Sequence, residues 1–176
     1  MLGIKDAKMP LESIADDKSV VRSIASRLCI SNLTHVITFL RSLNILFAIS
    51  ADSMTTEDTL VYSCILFDRW IELVKETTQY LDFYSSTVFQ RMFVFAAFVN
   101  LAIHACVDGD YTYDTESWVA VLIRLHNVLS EDVKTRPTMR MFVRENLRLL
   151  QTIDWKLLIS PDEFSHRKVV MLQILV

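Results

Sequence analysis

The sequence has very little glycine and proline, with two glycines and three prolines among 176 residues. Sheets and hairpins use glycine in their turns and bulges, so this scarcity predicts an all-helical protein. It also excludes several kinds of site, because a phosphate-binding glycine loop, a dinucleotide fingerprint and a nucleophile elbow each need closely spaced glycines. The two glycines of this chain, Gly3 and Gly109, lie far apart.

Cysteine is also scarce, and the positive and negative charges nearly balance. Cys29, Cys64 and Cys106 are an odd number of widely spaced residues in apolar surroundings, which predicts buried free thiols in a reducing compartment. The 18 basic and 21 acidic residues are mixed along the chain and give a net charge of -3, so we expect no nucleic-acid partner. The N-terminus has no signal-peptide apolar run, and we therefore expect the protein in the nucleus and/or the cytoplasm.

One long apolar run, Val88–Val107, dominates the sequence. After Arg91 it contains no charged residue until Asp108. A helix that is apolar on nearly all sides must be wrapped by other helices or by lipid. The uncharged stretch is shorter than the ~20 residues that a membrane span needs, so it predicts a buried central helix and no membrane partner.

The rest of the chain shows shorter apolar stripes at helical spacing, separated by polar turns. They predict further helices over 18–29, 34–50, 56–77, 116–129 and 137–156, and one that begins with a Ser160 cap and Pro161. Residues 79–86 read as an aromatic linker. Residues 1–17 are predicted to be a flexible N-terminal segment, and 169–176 an apolar tail that docks on this chain or on a partner.

Several conspicuous side chains have an ordinary structural interpretation. Trp118 and Trp155 are predicted to lie in the core, and Trp70 either in the core or on the surface. The four histidines show no metal-ligand spacing. No serine–histidine or cysteine–histidine pairing is readable, so the sequence predicts no metal, no cofactor and no enzymatic activity.

The motifs and their order along the chain resemble those of one protein family. TLVYSCILFDRWIEL (Thr59–Leu73) resembles the second helix of a cyclin box. That helix has a threonine-leucine start and a leucine-aspartate-arginine-aromatic ending, and this chain has Thr59-Leu60 and Phe67-Asp68-Arg69-Trp70. RENLRLLQTIDWKLLISPDEF (Arg144–Phe164) resembles the fifth cyclin helix and its exit. VDGDYTYDTESWVAV (Val107–Val121) and ITFLRSL (Ile37–Leu43) resemble segments of the P-type, or PHO-type, cyclins. The resemblance covers about residues 20–168.

This resemblance implies a single cyclin-box-like five-helix bundle over residues 18–168, built around the buried central helix and flanked by N- and C-terminal helices. It further implies a regulatory subunit that binds and activates a protein kinase of the cyclin-dependent type. Cyclins hold the kinase with a lysine near the end of the third helix and a glutamate nine residues before the closing tryptophan. The central helix Val88–Val107 resembles this third helix, yet its residues 102–105 include no lysine. The count back from Trp155 reaches Asn146, with Glu145 beside it. The alternative is therefore a cyclin-fold scaffold or adaptor that binds a protein without activating a kinase.

Six residues are predicted partner contacts by their place in these motifs: His104, Asp108, Asp110, Tyr111, Glu145 and Asn146. For His104 a satisfied core histidine is the alternative, and for Asn146 a buried asparagine bonded to a neighbouring backbone. For Asp108 and Asp110 the alternative is an ordinary loop that terminates the helix. Asp68 lies in a very apolar helix and needs a partner. Cyclins pair this aspartate with an arginine of the first helix, and Arg41 is the nearest candidate for a structural ion pair.

Overall fold

A computed structural model describes residues 18–49, 56–106, 115–129 and 136–173. Within these ranges the chain forms eight helices and no strand, which confirms the predicted all-α class. The helices are α1 (Lys18–Leu28), α2 (Leu33–Ile49), α3 (Thr56–Val74), α4 (Thr78–Ser85), α5 (Val88–Cys106), α6 (Thr115–Leu129), α7 (Met139–Thr152) and α8 (Pro161–Gln173).

Helix α5 is the centre of the fold, as predicted. It contacts α1, α3, α4, α6 and α7, and Ala96, Ala97 and Ala102 are fully buried where these neighbours approach. In the described part of the chain, α5 is the one helix long and apolar enough to cross a membrane, yet 67% of its window Val88–Ala105 is buried inside the protein. Other helices thus cover most of its apolar surface.

An aromatic cluster ties three helices together. The ring of Phe67 on α3 lies 5.6 Å from Phe83, 6.1 Å from Phe95 and 5.7 Å from Phe98, measured between centroids. The pairs with Phe95 and Phe98 are edge-to-face, and such aromatic pairs add about 0.5–1.5 kcal/mol each beyond the burial of their area. The cluster joins α3, α4 and α5 into one core.

The predicted aromatic linker over 79–86 is wrong, because most of it forms α4. Eight residues are too few for a stable isolated helix. Tertiary anchors supply what the local sequence lacks: Phe83 is buried in the core, and the Tyr84 hydroxyl donates to the Arg27 carbonyl oxygen at 3.0 Å.

Helix α7 is shorter at both ends than predicted. It begins at Met139, where the Thr138 hydroxyl accepts a hydrogen bond from the Met141 amide. It ends at Thr152 because Asp154 and Trp155 adopt left-handed conformations, with φ of 54° and 58°. Two successive left-handed residues cannot continue a right-handed helix, so the chain leaves α7 before the predicted end at Lys156.

The start of α8 agrees with the prediction: the Ser160 hydroxyl accepts a hydrogen bond from the Glu163 amide at 3.2 Å. α8 packs on α1 and α3, and Met171 of the predicted tail is buried. Residues 174–176 and the N-terminal segment 1–17 lie outside the described residues.

The two thiols that the structure describes differ. Cys64 is buried as predicted, but Cys29 is exposed. Cys29 has a left-handed backbone just after α1 and makes a Sγ contact of 3.8 Å to the Ser26 carbonyl oxygen. The end of α1 therefore turns this side chain toward solvent. The Cys106 side chain is outside the described part of the structure.

Candidate functional site

Asp68 is the centre of an ion-pair cluster that joins three helices. Its carboxylate accepts two hydrogen bonds from Arg27 of α1, from Nε and from Nη2, both at 2.9 Å. Arg167 of α8 pairs with the same carboxylate. The acid is thus paired, as its apolar setting requires, but the prediction that Arg41 is the partner is wrong. Arg41 is exposed on α2, whose inward face carries residues such as Leu40.

Cys64 lies one turn before Asp68 on α3 and is fully buried. Burial is the largest influence on this thiol, and it raises the pKa of Cys64 to about 12. Arg27 and Arg167 lower the pKa, but by less than burial raises it. The thiol therefore stays protonated near neutral pH and is a poor nucleophile.

A groove of about 1030 Å³ runs between α3, the segment after α7 and the start of α8. Three apolar side chains at this groove are strongly exposed: Leu73 at 56%, Trp155 at 60% and Leu158 at 82%. Its charges are matched within the chain, since Arg69 donates to Glu163 at 2.7 Å and to the Leu158 carbonyl oxygen at 3.0 Å. The groove thus offers an apolar surface with internally paired charges.

The prediction that Trp155 lies in the core is wrong, because the left-handed turn directs it into this groove. A sequence signal for this existed. At 100° per residue, position 155 falls opposite the stripe that contains Phe142 and Leu149. Trp118, in contrast, is fully buried as predicted, and so is Trp70.

A pair of amides joins α5 to α7. Asn100 Nδ2 donates to Asn146 Oδ1 at 2.9 Å, and Asn146 Nδ2 donates to the Phe142 carbonyl oxygen at 2.8 Å. Of the two interpretations left open for Asn146, this is the asparagine bonded within its own chain. Both groups of the Asn146 amide are thus hydrogen-bonded within the chain, as partly buried polar groups generally are.

Glu145 is likewise engaged inside the chain. Arg148 donates to it from Nε at 3.1 Å and to Gln79 of α4 from Nη1 at 2.8 Å. The same guanidinium lies over the Trp70 ring, with its carbon 5.7 Å from the centroid. Glu145 therefore serves first to hold Arg148 against α3 and α4.

His104 is the predicted contact that the structure leaves accessible. It is exposed in the last turn of α5, and desolvation lowers the pKa of its imidazole. The ring is therefore neutral at pH 7 and can both donate and accept a hydrogen bond. The other predicted contacts, Asp108, Asp110 and Tyr111, lie outside the described residues.

Among the residues that the structure describes, no group of three or more histidine, cysteine, aspartate or glutamate side chains is placed to hold a metal ion. The candidate site therefore consists of the polar contacts between helices described above, together with the exposed groove and the exposed end of α5. No protein-family model, no curated protein and no solved structure matches this chain.

Proposed function

We propose that this chain is a cyclin-like regulatory subunit that binds and activates a protein kinase of the cyclin-dependent type. The observation that carries the proposal is that Asp68, in the LFDRW motif, is paired with an arginine of a neighbouring helix, Arg27 of α1. Cyclins join their second helix to their first in this way. One departure stands beside it: the segment that resembles the first cyclin helix, Ile37–Leu43, lies on α2, whereas Arg27 lies on α1.

In this proposal α2, α3, α5, α6 and α7 are the five helices of a cyclin box, and α1 and α8 flank them. The contacts of α5 with α3, α6 and α7 support this assignment. The partner kinase would place its mobile helix beside the end of α5, close to His104. A surface that holds this helix in one orientation sets the lysine–glutamate pair that phosphoryl transfer requires.

Copurification with the cyclin-dependent-type kinases of the source organism tests the proposal. His104→Glu places a charge on the exposed end of α5 and should weaken kinase binding by about fivefold or more if the residue is a contact. His166→Glu is the matched control, because His166 is also exposed but lies on α8. A chain that copurifies with none of the kinases, or two variants that bind equally, would count against the proposal.

A second candidate function, a scaffold or adaptor that does not activate a kinase, is favoured by the amide pair. Asn146 stands nine residues before Trp155, where cyclins have a glutamate, and its partner Asn100 is neutral as well. Two amides that are hydrogen-bonded to each other supply no ion pair to a kinase. Adding the purified chain to a kinase that it binds separates the candidates: phosphorylation of a substrate rises for an activator and stays flat for an adaptor.

A further inference from the structure

The outward face of α7 carries a row of arginines beside a row of aliphatic side chains. Four arginines recur at every fourth position of the sequence: Arg136, Arg140, Arg144 and Arg148. Met139, Val143 and Leu147 repeat with the same spacing and are 52%, 45% and 46% exposed. Because acidic and basic residues are mixed along the whole chain, this row is not apparent from composition. The arginines of the segment share one surface only where the segment is helical. We call the surface formed by Met139, Arg140, Val143, Arg144 and Leu147 the arginine ridge.

The positive charge of the arginine ridge is not neutralised within the described part of the chain. Arg148 is held by Glu145 and Gln79. Arg136, Arg140 and Arg144, in contrast, are exposed and form no ion pair with another described residue. The ridge therefore presents the guanidinium groups of Arg140 and Arg144 on one side of α7, and Arg136 lies just before this helix begins.

No other described element covers this face. A groove of about 680 Å³ runs along it, and all the residues that line the groove belong to α7. The opposite side of α7 packs on α3, α5 and α6, with Phe142 and Leu149 buried. Three large aliphatic side chains left in water beside unmatched charges are typical of an interaction surface.

We propose that the arginine ridge binds an acidic amphipathic helix of a partner protein. Residues four apart on a helix repeat every ~6 Å, so carboxylates at the same spacing on a second helix match the arginines in register. The arginine fork holds carboxylates in two parallel hydrogen bonds. The aliphatic row beside it supplies the apolar contact that helix-in-groove recognition uses, and methionine adapts its shape to such partners.

Charge and side-chain type favour this occupant over other polyanions. Single-stranded nucleic acid binds aromatic side chains on which its bases stack, and the exposed apolar residues of the ridge are aliphatic. The net charge of -3 also opposes a long polyanion. A helix bound to a membrane surface sinks its apolar face ~5–10 Å into the lipid, whereas the apolar face of α7 packs on α3, α5 and α6 and leaves a narrow aliphatic row outside.

The proposal goes beyond the proposed kinase partner, because the ridge residues make none of the contacts on which that partner depends. A chain that activates no kinase would still carry the ridge. The two proposals therefore fail separately.

Fluorescence anisotropy with a synthetic peptide tests the proposal on the full chain. The probe is a labelled helix of about 18 residues, with glutamates four apart and leucines on the adjacent face. Arg140→Glu/Arg144→Glu should weaken binding by about tenfold or more, and added salt should weaken binding to the native chain. The matched control is Arg22→Glu/Arg124→Glu, which reverses two exposed arginines on α1 and α6 and should bind like the native chain.

Binding of a charge-reversed peptide, with lysines in place of the glutamates, is the decisive measurement. This peptide should bind the Arg140→Glu/Arg144→Glu variant more tightly than the native chain, a result that misfolding of the variant cannot produce. Leu147→Ser should also weaken binding of the acidic peptide by about threefold or more, because the substitution removes apolar contact. Equal losses of acidic-peptide affinity in the ridge variant and in the control variant would overturn the proposal. So would tighter binding of the ridge to a single-stranded oligonucleotide or to phosphatidylserine vesicles than to the acidic peptide.

Discussion

At the scale of single residues, Asp68 is the charged side chain that joins the two ends of the described fold. It lies on α3 and binds Arg27 of α1 and Arg167 of α8, so one carboxylate joins three helices. The three side chains are 22–38% exposed. This exposure is intermediate between a solvated pair, which contributes little, and a buried pair, whose disruption is severe.

Removing the Arg27 side chain should therefore lower the free energy of unfolding by a moderate amount. Arg27→Ala is expected to lower the free energy of unfolding by about 1–2 kcal/mol, since Asp68 loses its two-point partner and α1 loses packing from the arginine stem. Arg41→Ala, at the exposed arginine of α2, should change it by less than about 0.5 kcal/mol. Urea unfolding of both variants measures the difference. Equal effects would show that the Arg27 pair does not stabilise the fold.

At the scale of elements, α5 depends on its small side chains. Ala96, Ala97 and Ala102 have no exposed surface, so neighbouring helices approach the α5 backbone closely at these positions. Cores packed to this density tolerate added volume poorly. The close contacts of α5 with α3 and α7 follow from these small residues as much as from the apolar ones.

Enlarging one of these alanines should disrupt the packing. Ala97→Leu is expected to destabilise the protein by about 1–3 kcal/mol, because the added methyl groups have no room between α5 and its neighbours. Ala120→Leu makes the same change at an exposed position of α6 and should be nearly neutral. Thermal unfolding followed by circular dichroism compares the two, and a stable Ala97→Leu variant would contradict the tight packing.

Several ion pairs join helix α8 to α3, beside the apolar contact of Phe164 with Tyr62. Lys168 lies 2.7 Å from Asp58 and 3.3 Å from Glu57, while Glu163 pairs with Arg69. The hydrogen bond to Asp58 is the main cause that raises the pKa of Lys168. α8 should thus be more sensitive to the loss of a charge than the apolar helix α5.

Neutralising Lys168 tests this attachment. Lys168→Met should speed amide hydrogen exchange in α8 by about threefold to tenfold, because the helix then opens locally more often. Lys75→Met is the control: Lys75 forms an exposed pair with Glu72, which should contribute almost nothing. Unchanged exchange in α8 of the Lys168 variant would show that apolar contacts alone hold this helix.

At the scale of the whole molecule, the buried Cys64 couples folding to pH. The folded state keeps the thiol protonated up to a pKa of about 12, whereas an unfolded chain loses this proton near pH ~8.5. The folded-state pKa is raised, so the stabilisation is fully present below the unfolded pKa and is lost as the pH rises through this window. Cooperative unfolding of a single core makes the effect visible in the global stability.

The free energy of unfolding should accordingly fall between about pH 9 and 12, by up to about 1.4 kcal/mol per pH unit from this one group. Cys64→Ala should remove this component and flatten the slope of stability against pH. Cys29→Ala, at the exposed thiol, should leave the slope unchanged. Urea unfolding at a series of alkaline pH values measures all three chains, and identical slopes would refute the coupling.

The sequence by itself determined the helical class, the central helix and several helix ends. These features are local: glycine scarcity, an apolar run of limited length and a Ser160 cap act through the backbone within a few residues. The bounds of α5 agree with the apolar run to within one residue at its end. The core positions of α3 and α6 follow for the same reason, since helical periodicity selects the buried face.

Only the tertiary structure decided which elements meet. Arg27 and Arg167 lie 41 and 99 residues from Asp68, and no local pattern ranks them above Arg41. Trp155 is exposed because of a left-handed turn, α4 is helical because the core accepts Phe83, and the arginine ridge is a surface because no described element covers it. Periodicity identifies the apolar face of a helix, but the crossing of helices determines what covers that face and where each charge finds its partner.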